Sequence, residues 1–354
     1  MSCIDIQRET HGDWMSNKQI KQLISVIEAK IHAARSSEDI LAAIAKAKAF
    51  RKPLVYDHSK HILTIIISTV IGVVLALSPH ISFLPSWSEP GNKWLLYVAI
   101  GCFALSMIML TIVISGRQKV SSISALAYKK DAMLDNNLKY KAPFNSEEMR
   151  IRFSELNRGN HSRHFKEVVG GEYQGEEHTF SFEYYHFHYV DKRTVTYMQG
   201  KRMRTKTVYD KYDRYGIIVP FEYCNNLQIF SFSPSQLYNL KLSSGSIAFD
   251  KTFNIRASDE LAATKFLKPA VVVAISDMAG FLSQMNIEID ATGLMCLSFT
   301  DRNMIMGNQR YDLSDPAAFY DELAGQTKLR KLDRTLRFLH QLFKHSDSNF
   351  KEIT

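Results

Sequence analysis

The stretch YYHFHYV (184–190) holds two histidines two positions apart. In an extended strand His186 and His188 project to one side, because side chains alternate, so a single metal ion would be within reach of both. Two imidazoles do not complete a site, since zinc takes three or four ligands. His178 has the same parity but lies at the far end of the segment. His161 and His164 lie in a polar segment upstream that would have to fold back. The pair is a candidate metal site short of ligands, against the plainer reading of a strand face.

A second pattern is cationic. Arg202, Arg204 and Lys206 alternate with Met203, Thr205 and Thr207, so in a strand the three cations line one face. Such a row suits a membrane or partner contact, with acidic headgroups or an acidic protein as its complement. A solvated hairpin face explains it as well, and no aromatic pattern for stacking nucleic-acid bases accompanies it. Glu288 and Asp290 share a strand face and would serve as paired acids, but without a neighbouring base they read as a solvated face. VVGGEYQGEE (168–177) lacks the glycine spacing of a phosphate cradle. Asp210 and Asp213 in DKYDRYG read as turn residues, because a calcium loop needs more acids and a closing Glu. No catalytic constellation and no cofactor motif is recognisable, so the sequence leans away from an enzyme.

The elements that hold these residues begin with two apolar runs. ILTIIISTVIGVVLALS (62–78), extended by PHISFLP, and WLLYVAIGCFALSMIMLTIVIS (94–115) carry no charged residue. Each is about the length of ~20 residues that crosses a bilayer core. Pro85, Pro90 and Gly91 break the chain between them, and Trp87 and Trp94 stand where interfacial aromatics belong. Lys48, Arg51, Lys52 and Lys60 precede the hairpin and Arg117, Lys119, Lys129 and Lys130 follow it, whereas the loop has only Lys93. The positive-inside rule then puts both termini in the cytoplasm of a cell membrane (an inner membrane in a Gram-negative cell). Ser68, Gly72 and Ala76 recur every four residues, a helix-packing stripe whose partner is either the second span or a second subunit.

The whole chain of 354 residues carries a net charge of +8, which favours an anionic partner. Cys3, Cys102, Cys224 and Cys296 are scattered, with no zinc or disulfide framework. Apolar spacing predicts a helix from Asn17 and another after SSED (36–39). Asn145 with Glu148 predicts a capping box for a helix over 145–156. TFSFEYYHFHYV, RTVTYM, RMRTKTVY and GIIVPFEY then read as four strands of an antiparallel meander, with turns at DK, QGK and KYDRY. Two helices over 257–282, strands at NIEIDATGLMCLSF and NMIMG, a helix after Pro316 and a Leu-striped closing helix complete the chain. The expected fold is an α+β membrane protein. Its parts are an N-terminal cytosolic helical region (1–60), a transmembrane hairpin (61–116, spans 62–84 and 94–115), a linker (117–144), a cytosolic α+β domain (145–345) and a tail (346–354).

This order of parts resembles a bacterial family known as domain of unknown function 3137. The likeness is carried by Gly171, Tyr173 and Gly175 in GEYQG, by FDKTFNI (249–255), by Asp259, Ala262, Leu267 and Pro269, and by Gly293 in IEIDATGLMCL. It covers most of the chain after about residue 60. Where family members have a Phe-x-Gly step, Tyr215-Gly216 lacks the spacer. The resemblance implies a membrane complex, because members are often encoded near LemA-type membrane proteins, and it implies no reaction. The expectation is a membrane-anchored interaction or sensing module whose partners are the bilayer, anionic headgroups, a LemA-type or other membrane protein, or a second copy as a homo-oligomer. Nucleic acid is disfavoured. The rivals are a membrane-associated enzyme acting on lipid headgroups or another anionic substrate, and a pore, which the uncharged spans disfavour.

Overall fold

The structure is a computed structural model that describes residues 16–49, 53–81, 84–200, 202–232 and 236–350. In chain order its helices are α1 (Asn17–Ala33), α2 (Ser37–Ala49), α3 (Ser59–Ala76), α4 (Trp94–Asp135), α5 (Ser146–Arg152), α6 (Ile247–Thr252), α7 (Glu260–Phe266), α8 (Pro269–Ala279), α9 (Pro316–Leu323) and α10 (Arg330–Phe350). Its strands are β1 (Lys139–Tyr140), β2 (Ser162–Gln174), β3 (Thr179–Gln199), β4 (Arg202–Pro220), β5 (Leu227–Phe230), β6 (Leu240–Leu242), β7 (Asn254–Ala257), β8 (Asn286–Ile289) and β9 (Leu294–Phe299). Mixed helix and antiparallel sheet, with two long apolar helices, is the architecture. The chain divides into two compact units, one of residues 1–131 with 308–327, the other of 132–307 with 328–354.

In the first unit the Ser16 hydroxyl accepts from the Gln19 amide while the Gln19 side chain accepts from the Ser16 amide, a capping box that starts α1. Ile20, Ile24, Ile27 and Ile31 make its buried stripe, and Lys130 on α4 donates to the carbonyls of Ile31 and His32 at its end. The segment 308–327 belongs here. The Leu313 amide donates to Ser124 on α4, its carbonyl accepts from Leu54, and Asp321 on α9 pairs with Lys48 on α2 at 2.7 Å. Two expected boundaries therefore change. A domain over 145–345 includes a segment that packs with the N-terminal helices, and much of the 117–144 linker is the unbroken continuation of α4.

Helices α3 and α4 meet through small residues. The Ser68 and Ser106 hydroxyls lie 2.6 Å apart, and a Cβ on Gly72 would stand 3.3 Å from the Phe103 ring. The Trp87 indole donates to the Ala76 carbonyl at 3.0 Å.

The second unit is built on one antiparallel sheet of order β1-β2-β3-β4-β9-β8-β5-β7-β6. On one face Phe182, Tyr184, Ile217, Val219, Leu297 and Ile287 pack with residues of α8 and α10. Leu329, Leu332, Leu336, Leu339 and Phe343, the stripe read from sequence, all lie in that core. On the other face Tyr185, Phe187, Ile218 and Cys296 meet Met149, Phe153 and Leu156 from α5 and the 3-10 turn over 154–157 that follows it.

The four-strand meander is corrected in this sheet. DK and KYDRY are not turns: Asp191 pairs with Asp210, Lys192 with Tyr209 and Tyr189 with Tyr212, so the four segments fuse into two long strands with a turn at Gly200. Charged residues fit mid-strand there because this part of the ladder is open to solvent. NMIMG forms a turn, not a strand, and Asn145 caps α5 through the Glu147 amide while Glu148 faces Arg152 instead of closing the box. β2 was hidden by Gly170 and Gly171, which interrupt its apolar alternation. A Cβ on Gly171 would come within 2.7 Å of Leu138 and 2.9 Å of Phe182.

Gly216 is packed more tightly still, its missing Cβ falling 2.4 Å from the Tyr185 hydroxyl and 2.5 Å from the Leu297 carbonyl. Since that carbonyl belongs to the neighbouring strand and cannot step aside, Gly216→Ala should destabilise the chain by ~1–3 kcal/mol or more. Thermal melting should show a lowered midpoint, and an unchanged one would show that the sheet yields locally.

Candidate functional site: the histidine–aspartate face and the basic ribbon

β2 ends its pairing with β3 at Ser162 opposite Val190, and β9 pairs only with Tyr215–Pro220 of β4. Beyond those limits β3 and β4 continue alone as a two-stranded ribbon from about Asp191 and Asp210 to the turn at Gly200. Strands pair face to face, so the register fixes its sides. Gln199 lies opposite Arg202, Tyr197 opposite Arg204, Val195 opposite Lys206 and Arg193 opposite Val208 on one face. Met198 opposite Met203, two Thr–Thr pairs and Lys192 opposite Tyr209 make the other. The sequence expectation of three cations on one strand face thus describes a free arm, not a sheet face. Arg193 is tied to Asp210 at 2.5 Å, while Arg202, Arg204 and Lys206 have no ion-pair partner among the described residues.

At the root of the ribbon lies the histidine pair. His186 Nε2 and His188 Nδ1 both point to Asp213 Oδ1, at 2.8 and 2.9 Å, and Lys166 Nζ reaches the same oxygen at 2.8 Å. His164 lies directly across the ladder from His188, ring centroids 5.1 Å apart, because β2 does fold back. Burial alone would raise the Asp213 carboxyl, but the hydrogen bonds from Lys166, His186 and His188 hold it far below the ordinary carboxylate range. The arrangement is a carboxylate shared by three donors. Among the described residues no three His, Cys, Asp or Glu side chains are disposed to hold a metal. His178 lies elsewhere, its amide donating to His340 on α10.

Sequence reasoning placed Glu288 and Asp290 on a solvated face, and the structure corrects this. Glu288 is only 2% exposed and Asp290 is buried with it. Glu288 accepts from the amides of Ser154 and Glu155, the Ser154 hydroxyl and Gln228. Asp290 pairs with Arg152 at 2.6 Å. Further along the same strand, by Asn286, the buried Glu155 accepts from Arg158 at 2.9 Å, Arg214 at 2.5 Å and Asn286 at 2.8 Å. Glu155 and Arg214 went unnoticed because they lie far apart in sequence. The available signal was a set of polar residues, Arg214, Gln228, Asn286, Glu288 and Ser298, at positions that should have been apolar in neighbouring strands. Closed off from solvent, the cluster holds structure and offers no substrate an approach.

The sheet also carries an open groove of about 740 Å³ along β1, β2 and β3, lined by Lys139, Lys141, Gly170, Glu172, Ser181 and Glu183 among others. Its charges are mixed, and no side-chain set within it suggests a reaction.

Comparisons with known proteins add little to this geometry. No family model matches the chain, and no curated protein does. Among solved structures it is similar to the crystal structure of the mycobacterial trehalose monomycolate transport factor A, at 12% identity and a TM-score of 0.35, covering 62% of this chain and 92% of that one. A likeness of that size carries neither fold nor function across.

Two measurements follow. Desolvation and the nearby Glu155 charge push the Glu288 carboxyl up to about 7, against the hydrogen bonds it accepts. The folded state therefore holds that proton more tightly than the unfolded chain does, and the stability it contributes is complete below the unfolded value. Stability should fall as pH rises from 4.5 to about 7. Glu288→Gln should flatten that slope in melting curves, whatever it does to the midpoint. For the histidine pair, added zinc should leave the melting of the full chain unchanged. A zinc-dependent rise lost in His186→Ala/His188→Ala would instead establish a metal site.

Proposed function

We propose that the chain is a membrane-anchored cytosolic interaction module, in which α3 and the first part of α4 cross the bilayer and the basic ribbon is the contact organ. The observation that carries this reading is the exposure of the two helices. Both are long and apolar enough to cross a membrane, yet only 11% and 17% of their most apolar windows is buried. Ile66, Ile67, Val70, Ile100, Met107 and Ile108 are more than half or about half exposed. A core helix of a soluble protein buries such residues, and leaving them in water forgoes roughly 25 cal/mol per Å². Lipid removes the cost without a protein partner.

The distribution of Lys and Arg supports a cytoplasmic location for the flanks of the hairpin, and hence for both termini and the sheet unit, in a cell membrane. The resemblance to the family of unknown function 3137 fits the same reading and extends it to a complex with a LemA-type or similar membrane protein. An enzyme acting on headgroups finds less support, because the acids that sequence paired are sealed inside the sheet unit.

Alkaline carbonate washing of membranes from cells making the full chain tests the anchor. The protein should stay in the pellet. Ile67→Asp with Ile108→Asp, at ~3 kcal/mol for each charge in a span, should lower that recovery sharply. Release of the unaltered chain into the supernatant would contradict the anchor.

A further inference from the structure

We infer that the ribbon enters an anionic lipid surface tip first, its end seated among the headgroups and its stem held by phosphates. The inference rests on the proposed anchor, which keeps the sheet unit beside a bilayer, and goes beyond it in assigning the ribbon a ligand. Residues 191–210 hold six Lys and Arg against two Asp, a dense share of a chain whose net charge is +8. Arg202, Arg204 and Lys206 have no ion partner among the described residues to satisfy them.

Charge alone would suit any polyanion, and the tip decides between them. Met198 and Met203 form a cross-strand pair at the end of the arm, 69% and 74% exposed, and Tyr197 on the cation face is 44% exposed. A two-stranded ribbon fits the major groove of B-DNA, where phosphates would meet the cations. That contact leaves the methionines in water. At the boundary of headgroups and acyl chains both needs are met, since apolar side chains settle ~5–10 Å deep there. Lys206 follows Met203 by three residues, a rise of ~10 Å, so it sits at phosphate level when the tip is seated, while Arg202 and Arg204 flank Met203 at the tip itself. The long stems of Arg and Lys reach headgroups while their methylenes line the apolar side. A second copy of this chain is a poor occupant, because its ribbon would bring the same charge.

The test uses the full chain in nanodiscs, of phosphatidylcholine alone or mixed with phosphatidylglycerol. An environment-sensitive fluorophore is placed at Gln199→Cys in a Cys3→Ser/Cys102→Ser background, Cys224 and Cys296 being buried, and at Lys251→Cys as a control. In anionic discs the ribbon label should shift to the blue and resist an aqueous quencher, and salt should reverse both changes. The control should not respond. Arg202→Gln/Arg204→Gln/Lys206→Gln should reduce the docked-to-free ratio roughly a hundredfold, as three surface cations lost. Met198→Ser/Met203→Ser should abolish the blue shift with every charge in place, which mere surface attraction would not do. A label that stays aqueous in anionic discs at low salt overturns the inference while leaving the anchor intact. So does a label that changes only when duplex DNA is added. A chain that fails to enter discs at all overturns the anchor and the inference with it.

Discussion

Glu155 is buried in the sheet unit with two arginines and an asparagine on its carboxylate, and the arrangement of that unit turns on it. A carboxylate in so dry a place is tolerated only when paired and hydrogen-bonded, and losing one partner typically costs ~3–5 kcal/mol. Arg158 comes from the loop after the 3-10 turn, Arg214 from β4 and Asn286 from β8. One side chain thus ties the cap that covers a sheet face to two strands that are not adjacent in sequence. Glu288 repeats the pattern from below, holding the Ser154 and Glu155 amides in place. With Arg158 and Arg214 balanced by Glu155 and an ionised Glu288, the cluster is neutral; protonating Glu288 leaves it positive. Its strength is therefore set by burial and pairing together.

The consequence reaches the ribbon. Arg214 belongs to the same unbroken strand that carries Asp213, Lys206 and Arg202, so fixing its head inside the sheet fixes where the strand leaves it. The next residue outward, Asp213, is gripped by Lys166, His186 and His188, which ties all three strands at the root of the arm. Past the Ser162–Val190 pair, two residues further out, the arm has no other strand beside it. A long exposed ribbon with free edges is an aggregation hazard unless charge protects it, and its lysines and arginines provide that protection. The charge that protects the arm is the same charge that the proposed contact with anionic headgroups would use.

Much of this was legible in the sequence because it is local. Uncharged runs, the Leu stripe of α10, Pro269 and Pro316 at helix starts and the parity of Arg202, Arg204 and Lys206 all depend on near neighbours. What escaped depends on distant partners. β2 is not legible because Gly170 and Gly171 interrupt its apolar alternation, and only Lys141, Leu138 and Phe182 filling the space beside them account for the two glycines. Asp191–Lys192 read as a turn because charged pairs usually end strands, and only pairing with Asp210 and Tyr209 shows otherwise. Glu288 looked solvated because a strand alternates equally well whether its polar side meets water or a buried arginine cluster. The histidine pair was placed on the right face, but its partner was Asp213, which sequence had assigned to a turn.

The central proposal is that the hairpin of α3 and α4 crosses a bilayer with its loop outside. Cysteine accessibility in intact cells reads this directly, using Ser88→Cys in the loop, His32→Cys on α1 and Lys251→Cys on α6, all exposed positions, in a background without the native reactive cysteines. A membrane-impermeant maleimide should label Ser88→Cys in whole cells, and the other two only after lysis. Labelling of His32→Cys or Lys251→Cys in whole cells, with Ser88→Cys silent, would contradict the cytoplasmic sheet unit and the ribbon's access to the inner leaflet.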